Sequence, residues 1–180
     1  MQTKTKAVGL VMAAVILTAS PARAQTPIAM TDPGFIAASA ASHYFKNLFT
    51  KAAAQMSEED YAFKPTPDVR SFGDILSHIA ANEYAFCSAA KGEGTPSRAT
   101  ASSRTEIQAA LGQALSYCDA VYAGMTPEKL KSTIKWQGRE MPVVAVLIYR
   151  THHAALHYGN IVTYMRLRGK VPPSTAELGG

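Results

Sequence analysis

The sequence predicts a single all-α domain that is built as a four-helix bundle. The chain has 180 residues, which is the length of one ordinary domain. Four long segments repeat apolar residues every three to four positions, as a helix with one buried face does. Only residues 133–141 alternate loosely in the way that a strand does, and four long helices with almost no strand are typical of a bundle.

An export signal is expected before this domain. Residues 1–6 contain two lysines, residues 7–18 are apolar, and Ala22-Arg23-Ala24 has the small-residue pattern of a cleavage site. The apolar run is shorter than the ~20 residues that span a bilayer, which argues against a membrane anchor. We therefore predict a signal peptide at residues 1–24 and a bundle domain at residues 25–180 that is periplasmic or secreted.

The first helix is predicted over residues 35–56. Asp32 can cap the free N–H groups at its start, and Pro33 suits the first helical position. Pro65 and Pro67 then indicate an extended linker, because proline fixes its own backbone and disfavours helix in the residue before it.

The second and third helices are each predicted to begin with a capping box. Their hydroxyls are those of Ser71 and Ser103, and an acidic residue follows three positions later in both cases. We expect these helices to run to about Ala90 and Ala123. The loop between them, residues 91–102, is long for a link between two helices.

Pro142 opens the last helix, which is predicted to end near Arg168. Gly169 and the two prolines that follow it are a strong stop signal. Before this helix, a short helical turn is predicted at Thr126, and residues 133–141 form either a small hairpin or an extended link.

The charge distribution does not favour a nucleic-acid partner. The formal net charge is +5, but three basic residues lie in the predicted signal and every acid follows it, which leaves 15 basic and 13 acidic side chains. These lysines and arginines are scattered singly, whereas nucleic-acid binders concentrate them. After signal cleavage we expect no membrane partner, a small-molecule substrate as a candidate partner, and helix faces that could support a homodimer.

Three of the five histidines are candidate metal ligands. His153 and His157 are four residues apart, so both imidazoles share one helix face and can reach one ion. His78 lies among apolar residues on the predicted core side of the second helix and is the candidate third ligand. The alternative is a solvent-facing pair and a hydrogen-bonded core histidine. His152 is expected at the surface, and His43 is either a fourth neighbour or unrelated.

The residues around these histidines resemble the DinB/YfiT-like family. The run Asp-Ile-Leu-Ser-His-Ile-Ala at 74–80 resembles the family's second-helix signature. Residues 153–160, the run Tyr-Met-Arg-Leu-Arg-Gly at 164–169 and Pro172-Pro173 resemble its fourth-helix signature. The resemblance also includes Tyr-Ala-Phe-Lys-Pro at 61–65, and it therefore covers the whole predicted domain.

The resemblance implies a bundle in up-down-down-up order and a divalent metal ion, Zn, Ni or Mn, held by His78, His153 and His157. It also implies a thiol-dependent transferase as one candidate, because some members are thiol-dependent transferases or isomerases. Three histidine ligands leave a position open for water or substrate, so a metal-dependent hydrolase is the other candidate. The alternative is a non-enzymatic metal- or ligand-binding stress-response bundle. Predicted export favours hydrolysis or binding over thiol transfer. Asn160 stands where the family usually has Gln, so the role of that amide is open.

Three further side chains are candidates for assisting the chemistry. Asp74 precedes His78 by one turn and could accept from its ring, or it is only a helix cap. Tyr149 precedes His153 by one turn and could donate to a bound anion, or it only packs. Asn82, one turn after His78, is a third candidate.

The two cysteines, Cys87 and Cys118, can form a disulfide for only one relative direction of the second and third helices. Antiparallel second and third helices would separate them by ~15 Å, which is too far for a disulfide. Parallel helices would place both at one level. The helix order that the resemblance implies is the parallel one, so it implies a Cys87–Cys118 disulfide, and the alternative is two small buried thiols.

Overall fold

The computed structural model describes residues 30–177, and the signal peptide predicted at residues 1–24 lies outside this range. The described chain is mostly helical, and its four longest helices are the four that the sequence predicts. The elements are α1 (Pro33–Gln55), α2 (Glu58–Ala62), α3 (Phe72–Lys91), α4 (Arg104–Ala123), α5 (Pro127–Lys131), β1 (Thr133–Trp136), β2 (Arg139–Pro142), α6 (Val143–Leu167) and α7 (Pro173–Glu177). Among the helices so described, none is long and apolar enough to cross a membrane.

Helices α3 and α4 run parallel. Gly73 at the start of α3 lies against the side chain of Ile107 near the start of α4. Towards the far ends of the same two helices, Cys87 and Cys118 are joined in a disulfide with 5.4 Å between their Cα atoms. The contacts therefore advance in the same direction along both helices, and the long connection between them crosses back along the bundle.

Helices α1 and α6 are also parallel to each other. Gly34 at the start of α1 lies against Ile148 early in α6, and further along, the rings of Phe49 and Tyr158 pack with centroids 6.0 Å apart.

Helix α3 runs antiparallel to α6. Phe86 late in α3 packs on Tyr149 early in α6, whereas His78 early in α3 meets His157 later in α6. Together with the two parallel pairs, this contact order makes the bundle up-down-down-up.

The helix starts follow the capping chemistry that the sequence predicts. Asp32 accepts a hydrogen bond from the Phe35 N–H at 2.9 Å. Ser71 and Ser103 both form complete capping boxes at the starts of α3 and α4. Gly92 ends α3 in the left-handed conformation, with φ of 88°, which costs glycine little.

A small hairpin forms in the segment for which the sequence predicted either a hairpin or an extended link. β1 and β2 pair antiparallel, with Trp136 opposite Arg139. The two residues between them, Gln137 and Gly138, both have positive φ, which is typical of the tight turns that match strand twist. The ring of Trp136 packs on Phe86 with 5.0 Å between centroids, so the hairpin contacts α3 beside the place where α3 packs on α6.

The core is divided into two apolar clusters along the bundle axis. One contains Ile79, Leu115 and Ala154, and the other contains Cys87, Cys118 and Leu147. Residues 83 and 150 therefore fall between the two clusters on α3 and α6.

The disulfide leads to a direct chemical prediction. Protein that is unfolded without reductant should show no free thiol, because its two cysteines are paired. The same sample after reduction should show two. A thiol reagent such as Ellman's reagent makes the measurement, and two free thiols before reduction would contradict the pairing.

Candidate metal centre

Three histidine rings from two helices converge at one point. The Nε2 atom of His153 lies 3.1 Å from that of His157 and 3.3 Å from that of His78. His153 and His157 lie one turn apart on α6, and His78 faces them from the antiparallel α3. One ligand atom from each of the three rings lies within 4.8 Å of the others. The spacing of four residues and the α3–α6 contact therefore produce a single three-nitrogen group.

These separations suit a shared metal ion. Two nitrogens that each lie 2.0–2.1 Å from a tetrahedral zinc ion are about 3.3 Å apart, by the geometry of a tetrahedron. The two Nε2–Nε2 distances of 3.1 and 3.3 Å agree with that value. The donor set and its spacing could thus hold a divalent metal ion, and the three histidines that the sequence singled out are the ones brought together.

The rings are half-buried and held by neighbouring side chains. Phe86, which is buried, packs on His153 with 5.5 Å between ring centroids. The amide nitrogen of Asn82 donates to the backbone carbonyl of His78 at 2.9 Å and lies 3.3 Å from both nitrogens of its ring. Asn82, a candidate from the sequence, is therefore in contact with the group.

Burial is the largest cause that lowers the pKa of each of the three imidazoles. Burial, followed by the charges of His157 and His78, lowers the pKa of His153 to about 4. Burial also lowers the pKa of His78 and of His157, and Arg70 adds to the effect at both. At neutral pH the rings are consequently in the unprotonated form that binds metal.

The lowered pKa of His153 predicts how the stability of the metal-free protein depends on pH. The unfolded chain protonates His153 near its ordinary pKa of 6.5, but the folded chain resists protonation until about pH 4. The contribution of His153 to the free energy of unfolding should therefore be largest above pH 6.5. It should decrease as the pH drops from 6.5 towards 4. Urea unfolding at several pH values measures this slope. A His153→Gln variant should show a shallower slope, and identical slopes in the two proteins would contradict the prediction.

A buried ion pair lies beside the group, and the sequence analysis did not identify it. The Nε of Arg150 donates to Glu83 Oε2 at 2.9 Å, its Nη2 donates to the same oxygen, and its Nη1 lies 3.4 Å from the hydroxyl of Tyr122. Arg150 is 2% exposed and Glu83 is 3% exposed. Burial raises the pKa of Glu83, and Arg150 offsets part of that effect. The sequence feature that could have identified this pair is a charged residue at a core position on the apolar face of each helix.

The other sequence candidates lie outside the group. The carboxylate of Asp74, which is exposed, accepts from the Ser71 N–H at 3.1 Å, so capping holds it, and within residues 30–177 no hydrogen bond joins it to His78. The hypothesis that Asp74 orients His78 is therefore not supported. Tyr149 is 45% exposed and packs on Phe86 rather than on a histidine of the group. His43 and His152 are both exposed and lie outside the group.

Two grooves are each lined by one histidine of the group. A groove of about 730 Å³ is lined by His78, Tyr84 and Arg98, among others. A second groove of about 560 Å³ is lined by His157 and Arg70, and Asn160 lies in it as well. Each groove thus has room for a small molecule beside one histidine of the group.

The chain matches a known protein family. A family model described as the DinB superfamily matches residues 41–161, which is more than half of the chain and includes all three histidines of the group. No curated protein is similar enough in sequence to count as a match.

Several solved structures share the fold. A DinB-like protein from Bacillus subtilis is 19% identical with a TM-score of 0.65, and the match covers 75% of this chain and 94% of that one. A DinB-like protein from Bacillus cereus is 19% identical with a TM-score of 0.66, covering 77% and 93%. A mycothiol-dependent maleylpyruvate isomerase is 14% identical with a TM-score of 0.55, covering 73% and 65%. At these identities the similarity shows the fold alone.

Proposed function

The chain belongs to the DinB superfamily, and from that premise we propose that it is an exported metal-dependent enzyme with His78, His153 and His157 as the metal ligands. The observation that carries the proposal is the convergence of three Nε2 atoms from α3 and α6. The signal-like sequence of residues 1–24 supports a periplasmic or secreted location.

The ligand set favours a catalytic site over a structural one. Three protein ligands leave coordination positions for substrate, whereas structural sites are closed by four. Imidazole suits zinc and nickel better than manganese, which prefers carboxylates, so we propose zinc or nickel. A divalent ion held here would supply Lewis acidity towards an oxygen or sulfur atom of a substrate.

The protein's own contribution is to orient the ligands and to shield them. Phe86 fixes one side of the His153 ring, and Trp136 of the hairpin backs Phe86 in turn. Asn82 contacts His78 on the other helix. The apolar core beneath the rings excludes water from that side, and the two grooves admit a substrate from outside.

Hydrolysis of a small ester or amide is the reaction that we favour, because a low-molecular-weight thiol is less available outside the cytoplasm. A thiol-dependent transfer is the second candidate. It is favoured by the structural similarity to a mycothiol-dependent maleylpyruvate isomerase. The remaining alternative is a bundle that binds metal or a small ligand without catalysis.

The test is an activity screen on zinc- and nickel-loaded mature protein, beginning at residue 25, with ester, amide and thiol-adduct substrates. We expect turnover of an ester or amide that disappears in metal-free protein and in His153→Ala, but persists in His152→Ala. Turnover only with added thiol would support the second candidate. Stoichiometric metal with no turnover of any substrate would support the binding protein and contradict the enzyme.

A further inference from the structure

We infer that the molecule bound at the metal centre carries a carboxylate, and that Arg70 binds this carboxylate in the groove beside His157. The inference rests on the proposed function, because it takes the three-histidine group as the metal site. It adds the chemical class of the ligand and a binding residue outside the metal ligands.

Arg70 and the metal centre share one groove. The groove of about 560 Å³ is lined by Arg70, His157 and Asn160, with Asp68 and Tyr164 also at its wall. A molecule that occupies it can therefore contact a ligand histidine and the guanidinium at the same time. The amide of Asn160 is a further hydrogen-bonding group in the same wall.

The backbone of Arg70 is fixed by both helices that supply the histidines. The hydroxyl of Tyr164 on α6 donates to the carbonyl oxygen of Arg70 at 2.6 Å. The next residue, Ser71, is the N-cap of α3. The position from which the Arg70 side chain extends is thus held relative to His78 and His157.

The guanidinium itself is available for a ligand. Arg70 is exposed, and among residues 30–177 its side chain has neither a hydrogen bond nor an ion pair, although Asp68 lies in the same groove. Of the acids near it, Asp74 is held by Ser71 at the helix cap. A planar guanidinium offers two parallel donors that match the two oxygens of a carboxylate.

The charge balance of the site also favours an anion. The three histidines are neutral ligands, so a divalent ion bound to them keeps its full charge. Arg70 adds a second positive charge in the groove that His157 also lines. A ligand that brings a negative charge to this groove is therefore attracted by both the ion and the arginine.

Arg98 in the other groove provides a matched comparison. It is also an exposed arginine, and it lines a groove that His78 lines as well. Its guanidinium, however, lies over the ring of Tyr84 at 5.9 Å, and it extends from the irregular loop between α3 and α4. Arg70 therefore has the better-fixed position and the freer side chain.

The experiment compares two probes of equal length on zinc-loaded protein by isothermal titration calorimetry. The probes are 3-mercaptopropionate, with a carboxylate, and 3-mercaptopropanamide, with a neutral amide. We expect wild-type protein to bind the carboxylate roughly tenfold more tightly, as one charge-assisted contact allows. Arg70→Gln should remove this preference, Arg98→Gln should retain it, and added salt should reduce it.

The outcomes separate this inference from the proposal beneath it. If wild-type protein does not bind zinc, both the proposed metal site and the inference about Arg70 are contradicted. If zinc binds but the probes bind equally or not at all, or if the preference survives Arg70→Gln, the inference alone is overturned. Loss of preference only in Arg98→Gln also overturns it. Should Arg70→Gln not fold, Arg70→Lys replaces it, and a preference undiminished in that variant counts against bidentate binding.

Discussion

Replacing His153 with alanine is expected to abolish stoichiometric binding of a divalent metal. Its Nε2 lies 3.1 Å from that of His157 and 3.3 Å from that of His78, so its loss leaves two ligands on different helices. Loss of residues that merely orient a ligand costs 10–100-fold in affinity, and loss of a ligand should exceed about 100-fold. Elemental analysis after desalting, with a chelator competition for affinity, makes the measurement.

The matched control for this variant is the adjacent histidine. His152 is exposed and lies outside the group, so His152→Ala should retain full metal content. His78→Ala should behave like His153→Ala although it changes the other helix. Equal metal affinity in His153→Ala and His152→Ala would contradict the three-histidine site.

Replacing Arg150 with methionine is expected to lower the free energy of unfolding by about 3–5 kcal/mol. The substitution leaves the Glu83 carboxylate buried at 3% exposure without the guanidinium that accompanies it. An uncompensated charge between two apolar clusters is costly, and protonation of Glu83 relieves only part of that cost. Urea unfolding of the oxidised protein measures the change.

An exposed pair provides the reference for this effect. Lys51 pairs with Glu177 at 2.8 Å on the surface, and Lys51→Met should cost less than about 1 kcal/mol. Adding Glu83→Gln to Arg150→Met should recover part of the loss, because the buried charge is then removed. If Arg150→Met costs no more than Lys51→Met, the buried pair does not stabilise the fold in this way.

The buried pair also has a geometric consequence for the metal centre. Arg150 precedes His153 by three residues on α6, and Glu83 follows His78 by five on α3. Their contact fixes how far the two antiparallel helices are shifted along each other. A shift of one helical turn, about 5.4 Å, would separate the nitrogens of His78 and His153 beyond the reach of one ion.

The helices and their starts were predictable from the sequence because they depend on neighbours in the chain. The capping boxes at Ser71 and Ser103 involve residues only three positions apart, and the stop after α6 follows from Gly169 and the prolines beyond it. The predicted all-α fold class is confirmed, and it too follows from patterns between residues that are close in the chain. The pairing of His153 with His157 is likewise a local property, since four residues make one helical turn.

What the sequence by itself determined is therefore the helical class, the helix starts and a candidate set of three histidines. Only the tertiary structure decided that His78 meets the α6 pair and that Arg150 and Glu83 pair within the core. These outcomes depend on the relative position of α3 and α6. That position follows from packing across the whole bundle, which no short stretch of residues encodes.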